Sequence, residues 1–268
     1  MEKLAEKISE ITKQAGGEWG IQLEDLTTNK VFSQQETKMF YAASVIKVPI
    51  MIAVFAAAEE KKFNLSDTIT LRKEDITGGS GVLQKMTPGT ALTIYDIIML
   101  MIIQSDNTAT NMLIDLVGKE YIQQQMKKIG LENSTYHHKL MIQPLEKDGS
   151  NEINALEMAE MMKKLATGKI ISVWASQQMI DIMKSQQLQN NIPGKLPDPS
   201  SEILGGAKRW EAAHKTGSIS KVRHDVGILY VGEQKMIFSV LSSGVDDYEA
   251  GQTLQDIGLE IYKYLLAE

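Results

Sequence analysis

Ser44-Val-Ile-Lys47 sets a hydroxyl and an amine three residues apart. On a helix, positions i and i+3 share one face, which predicts Lys47 beneath Ser44. A serine hydroxyl becomes a good nucleophile when a neighbouring base takes its proton. A lysine can be that base when burial or a second cation lowers its pKa. Ala42, Ala43, Val45, Ile46, Val48 and Ile50 supply apolar surroundings, in which an unused lysine is costly. A helix starting at Ser44 adds backbone N–H groups and a dipole that favour developing negative charge. A second match, Ser218 to Lys221, lacks such surroundings. Taken alone, the pattern reads more often as a helix cap and a surface lysine.

Two further clusters carry chemistry-bearing groups. Ser105-Asp106-Asn107 falls in a short break between two apolar segments, where it would serve at least as an N-cap cluster for a helix from about Thr108. His214-Lys-Thr-Gly217 lies on an expected strand, where Lys215 and Thr216 can meet a carboxylate. Gly217 would let a ligand approach the strand backbone, and the N–H of Ser218 would complete an oxyanion hole with that of Ser44.

The elements that must hold these groups follow from periodicity. Leu4, Ile8 and Ile11 define an amphipathic first helix, ended by Gly16-Gly17. Trp19 to Leu26 and Lys30 to Gln34 read as a hairpin around Thr27-Thr-Asn29. Helices are expected over Ser44 to about Phe63, Ile94 to Ile103 behind a Thr93-x-x-Asp96 capping box, Thr108 to Val117, Tyr121 to Ile129, Ala155 to Ala166 and Val173 to Lys184. Pro and Gly punctuation from Ile192 to Pro199 precedes strands at Trp210 to Ile219, Asp225 to Gly232 and Met236 to Ser243, with a closing helix over Glu249 to Leu266. Strands at both ends around a helical middle predict an α/β (α+β) fold. Its antiparallel sheet has about five strands flanked by the terminal helices. Residues 1–43 and 193–268 form this discontinuous domain, residues 44–192 an all-helical one, and the active site lies in the cleft between them.

The chain has 268 residues and is 43% hydrophobic, enough for a substantial core. A net charge of -6 with both signs scattered argues against a nucleic-acid surface. The Lys-Lys pairs at 61–62, 127–128 and 163–164 are expected on solvated helix faces. With no cysteine there is no disulfide or thiol chemistry, though this does not fix the compartment. No stretch is long and apolar enough to span a bilayer, and the N-terminal segment lacks the apolar run of a signal peptide, so the chain is expected to be cytoplasmic as it stands. The 15 methionines read as core filler. Adjacent His137 and His138 rarely chelate one ion together, so neither a metal nor any other cofactor is expected.

The ordered trio is accompanied by Gly78-Gly-Ser-Gly-Val-Leu83, Ala109-Thr-Asn111 and Arg223-His-Asp-Val-Gly227. In this the chain resembles the class A β-lactamases and class A-like serine hydrolases of the penicillin-binding fold superfamily over nearly its whole length. The resemblance implies acylation of Ser44 by a β-lactam, with Lys47, Ser105 and Lys215 as catalytic groups. Ser105 passes a proton to the leaving nitrogen and Asp106 braces its loop. Asn107, Thr216, Gly217, Ser218 and Arg223, or its neighbour His224, face the substrate. The expected partner is a small β-lactam or a peptidoglycan-like peptide, and the protein is expected to be a monomer. Family members usually work outside the cytoplasmic membrane, which the missing leader pattern does not match.

One departure stands out. Family members place a water-activating glutamate in a Glu-x-x-Leu-Asn pattern after the central helices, and this chain has none. The region offers Glu146 and Glu152 as alternative bases, without the expected neighbours. Slow deacylation is therefore expected. A penicillin-binding peptidase or acyltransferase, and a non-catalytic sensor of β-lactams or cell-wall fragments, stand as alternatives to a β-lactamase.

Overall fold

A computed structural model describes residues 1–141, 149–200, 206 and 208–267. Its centre is an antiparallel sheet in the order β2-β1-β9-β8-β7. The strands are β1 (Glu18–Asp25), β2 (Val31–Gln34), β7 (Trp210–Ile219), β8 (Val222–Val231) and β9 (Gln234–Ser243). Successive strand residues point to opposite faces, and both faces of this sheet are covered. Trp19, Ile21, Leu229, Met236, Phe238 and Val240 pack beneath helices α1 (Glu2–Ala15) and α8 (Asp247–Ala267). Ala213, Val226, Ile228, Ile237 and Leu241 belong instead to the core built by the middle of the chain. Burial on both sides explains why Val226 to Val231 of β8 and Met236 to Leu241 of β9 are almost continuously apolar.

That second core is organised by α2 (Lys47–Glu59), which buries eleven of its thirteen residues. Its Pro49 sits in the first turn, where the missing N–H has no intrahelical acceptor to lose. Around it pack α3 (Ile94–Ile103), α4 (Asn107–Val117), α5 (Lys119–Lys128), α6 (Ala155–Ala166) and α7 (Val173–Lys184). Thr93 caps α3 by accepting from the Asp96 N–H at 3.1 Å, while its hydroxyl donates to the Asp96 carboxylate at 2.6 Å.

Several expectations need correcting. The middle of the chain is not all helical: β3 (Phe40–Tyr41) pairs with β6 (Glu152–Ile153), and β4 (Thr68–Thr70) with β5 (Ala91–Thr93). Strands of two or three residues are too short to show a period and exist only through distant partners. The helix expected from Ser44 begins as a tight 3₁₀ turn over Ala43–Ile46 and ends at Glu59. Strand β8 starts at Val222, because a two-residue turn at Ser220-Lys221 brings Ile219 opposite Val222. Lys163 and Lys164 are half-buried rather than solvated: Lys163 pairs with Glu24 and Lys164 donates to the Ile129 carbonyl. No helix among the described residues is long and apolar enough to cross a membrane.

Candidate active site

Ser44 is half-buried in the 3₁₀ turn that leads into α2. In such a turn residues i and i+3 eclipse, so the stems of Ser44 and Lys47 align. The preceding Ala43 holds φ at 44°, and Ser105 holds φ at 52°. Left-handed backbone at non-glycine residues is strained, and here it falls at the residue before the proposed nucleophile and at the proposed proton carrier itself.

Lys47 is 0% exposed. Its Nζ reaches the Ser105 carbonyl at 2.6 Å, Ser105 Oγ at 3.0 Å and Asn107 Oδ1 at 2.9 Å. Burial pushes its pKa well below the usual lysine value, the charge of Lys215 adds to the fall, and Asp106 opposes it. A neutral amine uses two N–H groups on the two carbonyl-type acceptors and keeps its lone pair for a hydroxyl proton. Ser44 Oγ is not hydrogen-bonded to it in this resting geometry.

Lys215 arrives from the opposite side, on β7, and is also 0% exposed. It donates to the same Ser105 Oγ at 3.0 Å and to the Thr216 carbonyl at 2.8 Å. Burial lowers its pKa to about 7, against a raising contribution from Asp225. Ser105 Oγ thus stands between two amines. Gly217, two residues along the strand, faces the nucleophile's turn: a Cβ there would lie 3.3 Å from the Ser44 nitrogen and 3.1 Å from Val45 Cγ2. Ser218 follows, exposed.

The loop carrying Ser105 is braced by buried Asp106. Its carboxylate accepts from the N–H groups of Val82 at 2.6 Å, Leu83 at 2.8 Å and Ala109 at 2.9 Å, the last capping α4. Gly81 makes this approach possible, since a Cβ at φ 106° would lie 2.2 Å from the Asp106 carboxyl carbon. Asn107 Nδ2 donates to the Gly78 carbonyl at 3.1 Å, tying the glycine-rich loop to the same site.

Arg223 is not brought to this cluster. It pairs with Ser218 across the sheet, so its side chain lies on the face turned away from Ser44, where it bonds Asn191 Oδ1 at 2.8 Å and the Asp247 carbonyl at 2.9 Å. Its neighbour His224 does face the helical core, but both ring nitrogens are occupied. Nε2 donates to the Tyr41 carbonyl at 2.8 Å and Nδ1 accepts from the Ser242 N–H at 3.1 Å. His224 therefore anchors the strand leading to Ser44 rather than meeting a ligand.

Of the two glutamates proposed as bases, Glu152 accepts from Ser150 Oγ at 2.9 Å and has no hydrogen bond to Ser44, Lys47 or Asn107. Glu146 lies outside the described residues. Sequence reasoning assigned no role to Asn111, whose side-chain amide holds both backbone groups of Leu140, at 2.9 and 3.0 Å, and so fixes that segment to α4. Exposed Met141 follows and edges the space beside Asn107 and Gly79. Among the described residues no group of three or more His, Asp or Glu side chains is placed to hold a metal ion.

The model of the β-lactamase enzyme family matches residues 3–265. The chain belongs to that family. A β-lactamase of Rhodobacter capsulatus is 26% identical over 267 residues, covering 96% of this chain and 87% of that protein. Among solved structures, a β-lactamase from Sphaerobacter thermophilus is 28% identical with a TM-score of 0.89, covering 99% of this chain and 97% of that one. A leucine-to-glutamate mutant of PBP-A, solved as an acyl-enzyme with penicillin G, is 26% identical with a TM-score of 0.85, covering 100% and 98%. This β-lactamase family fold places the Ser44 turn, the Ser105 loop and the Lys215 strand around one point.

Proposed function

We propose that this member of the family is a serine β-lactamase working through an acyl-enzyme on Ser44, in the cleft between the sheet and the helical lobe. The reading rests on one observation above all: Lys47 and Lys215, both fully buried, meet on Ser105 Oγ at 3.0 Å each beside the Ser44 turn. Lys47, whose pKa burial lowers, takes the Ser44 proton in its neutral form as the oxygen adds to the lactam carbonyl carbon. The N–H groups of Ser44 and Ser218 receive the oxyanion. As the ring C–N bond breaks, Ser105 passes a proton to the nitrogen and is replenished through the lysine pair. Protonated Lys215 holds the substrate carboxylate, and the second Nδ2 hydrogen of Asn107 faces the acyl amide.

Hydrolysis of the ester is the slow step. Among the described residues no carboxylate is hydrogen-bonded to Ser44, Lys47, Ser105 or Asn107, and general-base help to a water typically contributes about 10² to 10⁴ in rate. Mixing the enzyme with a chromogenic cephalosporin tests this. The expected trace is a burst of one ring opening per enzyme, followed by slower steady turnover. Absence of both burst and turnover contradicts the proposal. Glu152→Gln leaves the trace unchanged. If Glu146→Gln lowers the steady phase and spares the burst, Glu146 is the water-activating base.

A further inference from the structure

Behind the Ser105–Lys215 contact lies a side chain that the mechanism above does not use. Gln186 follows α7 and is 3% exposed. Its Nε2 donates one hydrogen to the Ile102 carbonyl and the other to the His214 carbonyl, each at 3.1 Å. Its Oε1 accepts from the N–H groups of Gln187 and Leu188, each at 3.0 Å. Two donors and two acceptor lone pairs are all satisfied, which no other side chain of this length could do here. The Gln187 N–H adds a bond to the Ile103 carbonyl at 3.2 Å.

What is joined matters more than the count. Ile102 lies in the last turn of α3, three residues before Ser105, and His214 immediately precedes Lys215. One amide thus ties the helical lobe to the edge strand of the sheet directly behind the hydrogen bond between Lys215 and Ser105. Without it, the carbonyls of Ile102 and His214 would be buried without this donor.

We propose that Gln186 is a positioning residue that fixes the separation of Ser105 from Lys215 and thereby the geometry of acylation. This rests on the acyl-enzyme reading above. Such a clamp acts on the rate of ring opening, where a displacement of about 1 Å can cost about 10²-fold, and leaves the later attack of water on the ester largely untouched.

The test uses Gln186→Leu, close in size but without the amide, with penicillin G acylation followed by intact mass in rapid-quench samples. Acylation is expected to slow about 10- to 100-fold, with the release rate of the formed adduct within about threefold of the parent. Combined with Ser105→Ala, the same substitution is expected to change acylation by less than about threefold, because the link it sets is already cut. An equal loss in both backgrounds, or an equal slowing of acylation and release, makes Gln186 a general structural residue and overturns the proposal. A second measurement needs no variant. In the parent, the side-chain amide hydrogens of Gln186 should exchange with solvent far more slowly than those of exposed glutamines in the ¹⁵N spectrum, and exchange as fast as theirs refutes the clamp even if Gln186→Leu does not fold. A parent that takes up no penicillin counts against the acyl-enzyme reading instead, and the exchange measurement still judges the clamp.

Discussion

The two faces of β7 and β8 treat charge in opposite ways. On the face turned from Ser44, His214 Nδ1 lies 2.8 Å from Asp225 Oδ1, Asp225 Oδ2 accepts from the Ile192 N–H at 3.1 Å, and Arg223 is held by Asn191 and the Asp247 carbonyl. The Asp225 carboxylate and the Arg223 guanidinium there each have hydrogen-bond partners. On the face toward Ser44, Lys215 and Lys47 share one serine hydroxyl, and no carboxylate among the described residues is bonded to either amine. Burial without a counter-ion lowers a lysine pKa and costs stability, whereas a buried carboxylate that accepts hydrogen bonds is satisfied where it stands. Alternation along two strands therefore separates a part that holds the sheet together from a part that is kept reactive.

The contrast breaks most severely at Lys47. Lys47→Ala should reduce the acylation rate by about 10² to 10⁴, the usual worth of a positioned base. In the parent, acylation should fall as pH drops through the lowered pKa of this amine, since only its neutral form can accept the Ser44 proton. A pH-independent rate, or a variant that acylates like the parent, would show that Lys47 is not the base.

The next effect is on stability. His224 is fully buried, and its pKa is lowered to about 4 because burial disfavours the charged ring. Between pH 4 and 6.5 the unfolded chain binds this proton and the folded one does not, so stability should rise with pH across that window and level off above it. The amount is on the order of 3 kcal/mol. Urea unfolding at pH 4.5 and 7 should show a smaller pH dependence in His224→Gln than in the parent, and equal dependence would disprove the assignment.

Lys215→Ala should weaken kcat/KM about 10- to 100-fold for substrates bearing a carboxylate, the worth of one charged hydrogen bond. With a pKa of about 7, Lys215 offers its positive charge below that pH and loses it above. KM for such substrates should therefore rise as pH increases through about 7. A flat KM profile argues against carboxylate binding by this amine.

Arg223→Ala is the smallest expected change. Among the described residues its guanidinium bonds Asn191 Oδ1 and the Asp247 carbonyl, both away from Ser44, so kcat/KM should stay within about threefold of the parent. A loss comparable to that of Lys215→Ala would mean that the two faces are not separate.

Much of this was legible in the sequence because it is local. The Ser44 pair, the capping box at Thr93 and the helices α6 and α7 each follow from spacing within one or two turns. The near-face strand residues Lys215 and Gly217 share a face by simple alternation, and so does the placement of Arg223 on the other, once the β7–β8 register is known. That register could not be read: Arg223 and His224 were both open as ligands until the two-residue turn at Ser220-Lys221 fixed which faced inward. Gln186 and Asn111 were silent for a different reason. Each acts through backbone carbonyls or amides of residues far along the chain, and such partners leave no mark of residue type or spacing.

The central claim, covalent catalysis by Ser44, is tested most directly by intact-protein mass spectrometry after incubation with penicillin G. The parent should gain the mass of one whole penicillin molecule, because opening the lactam ring expels no fragment, and Ser44→Ala should gain none. An adduct of the same mass on Ser44→Ala would contradict the account.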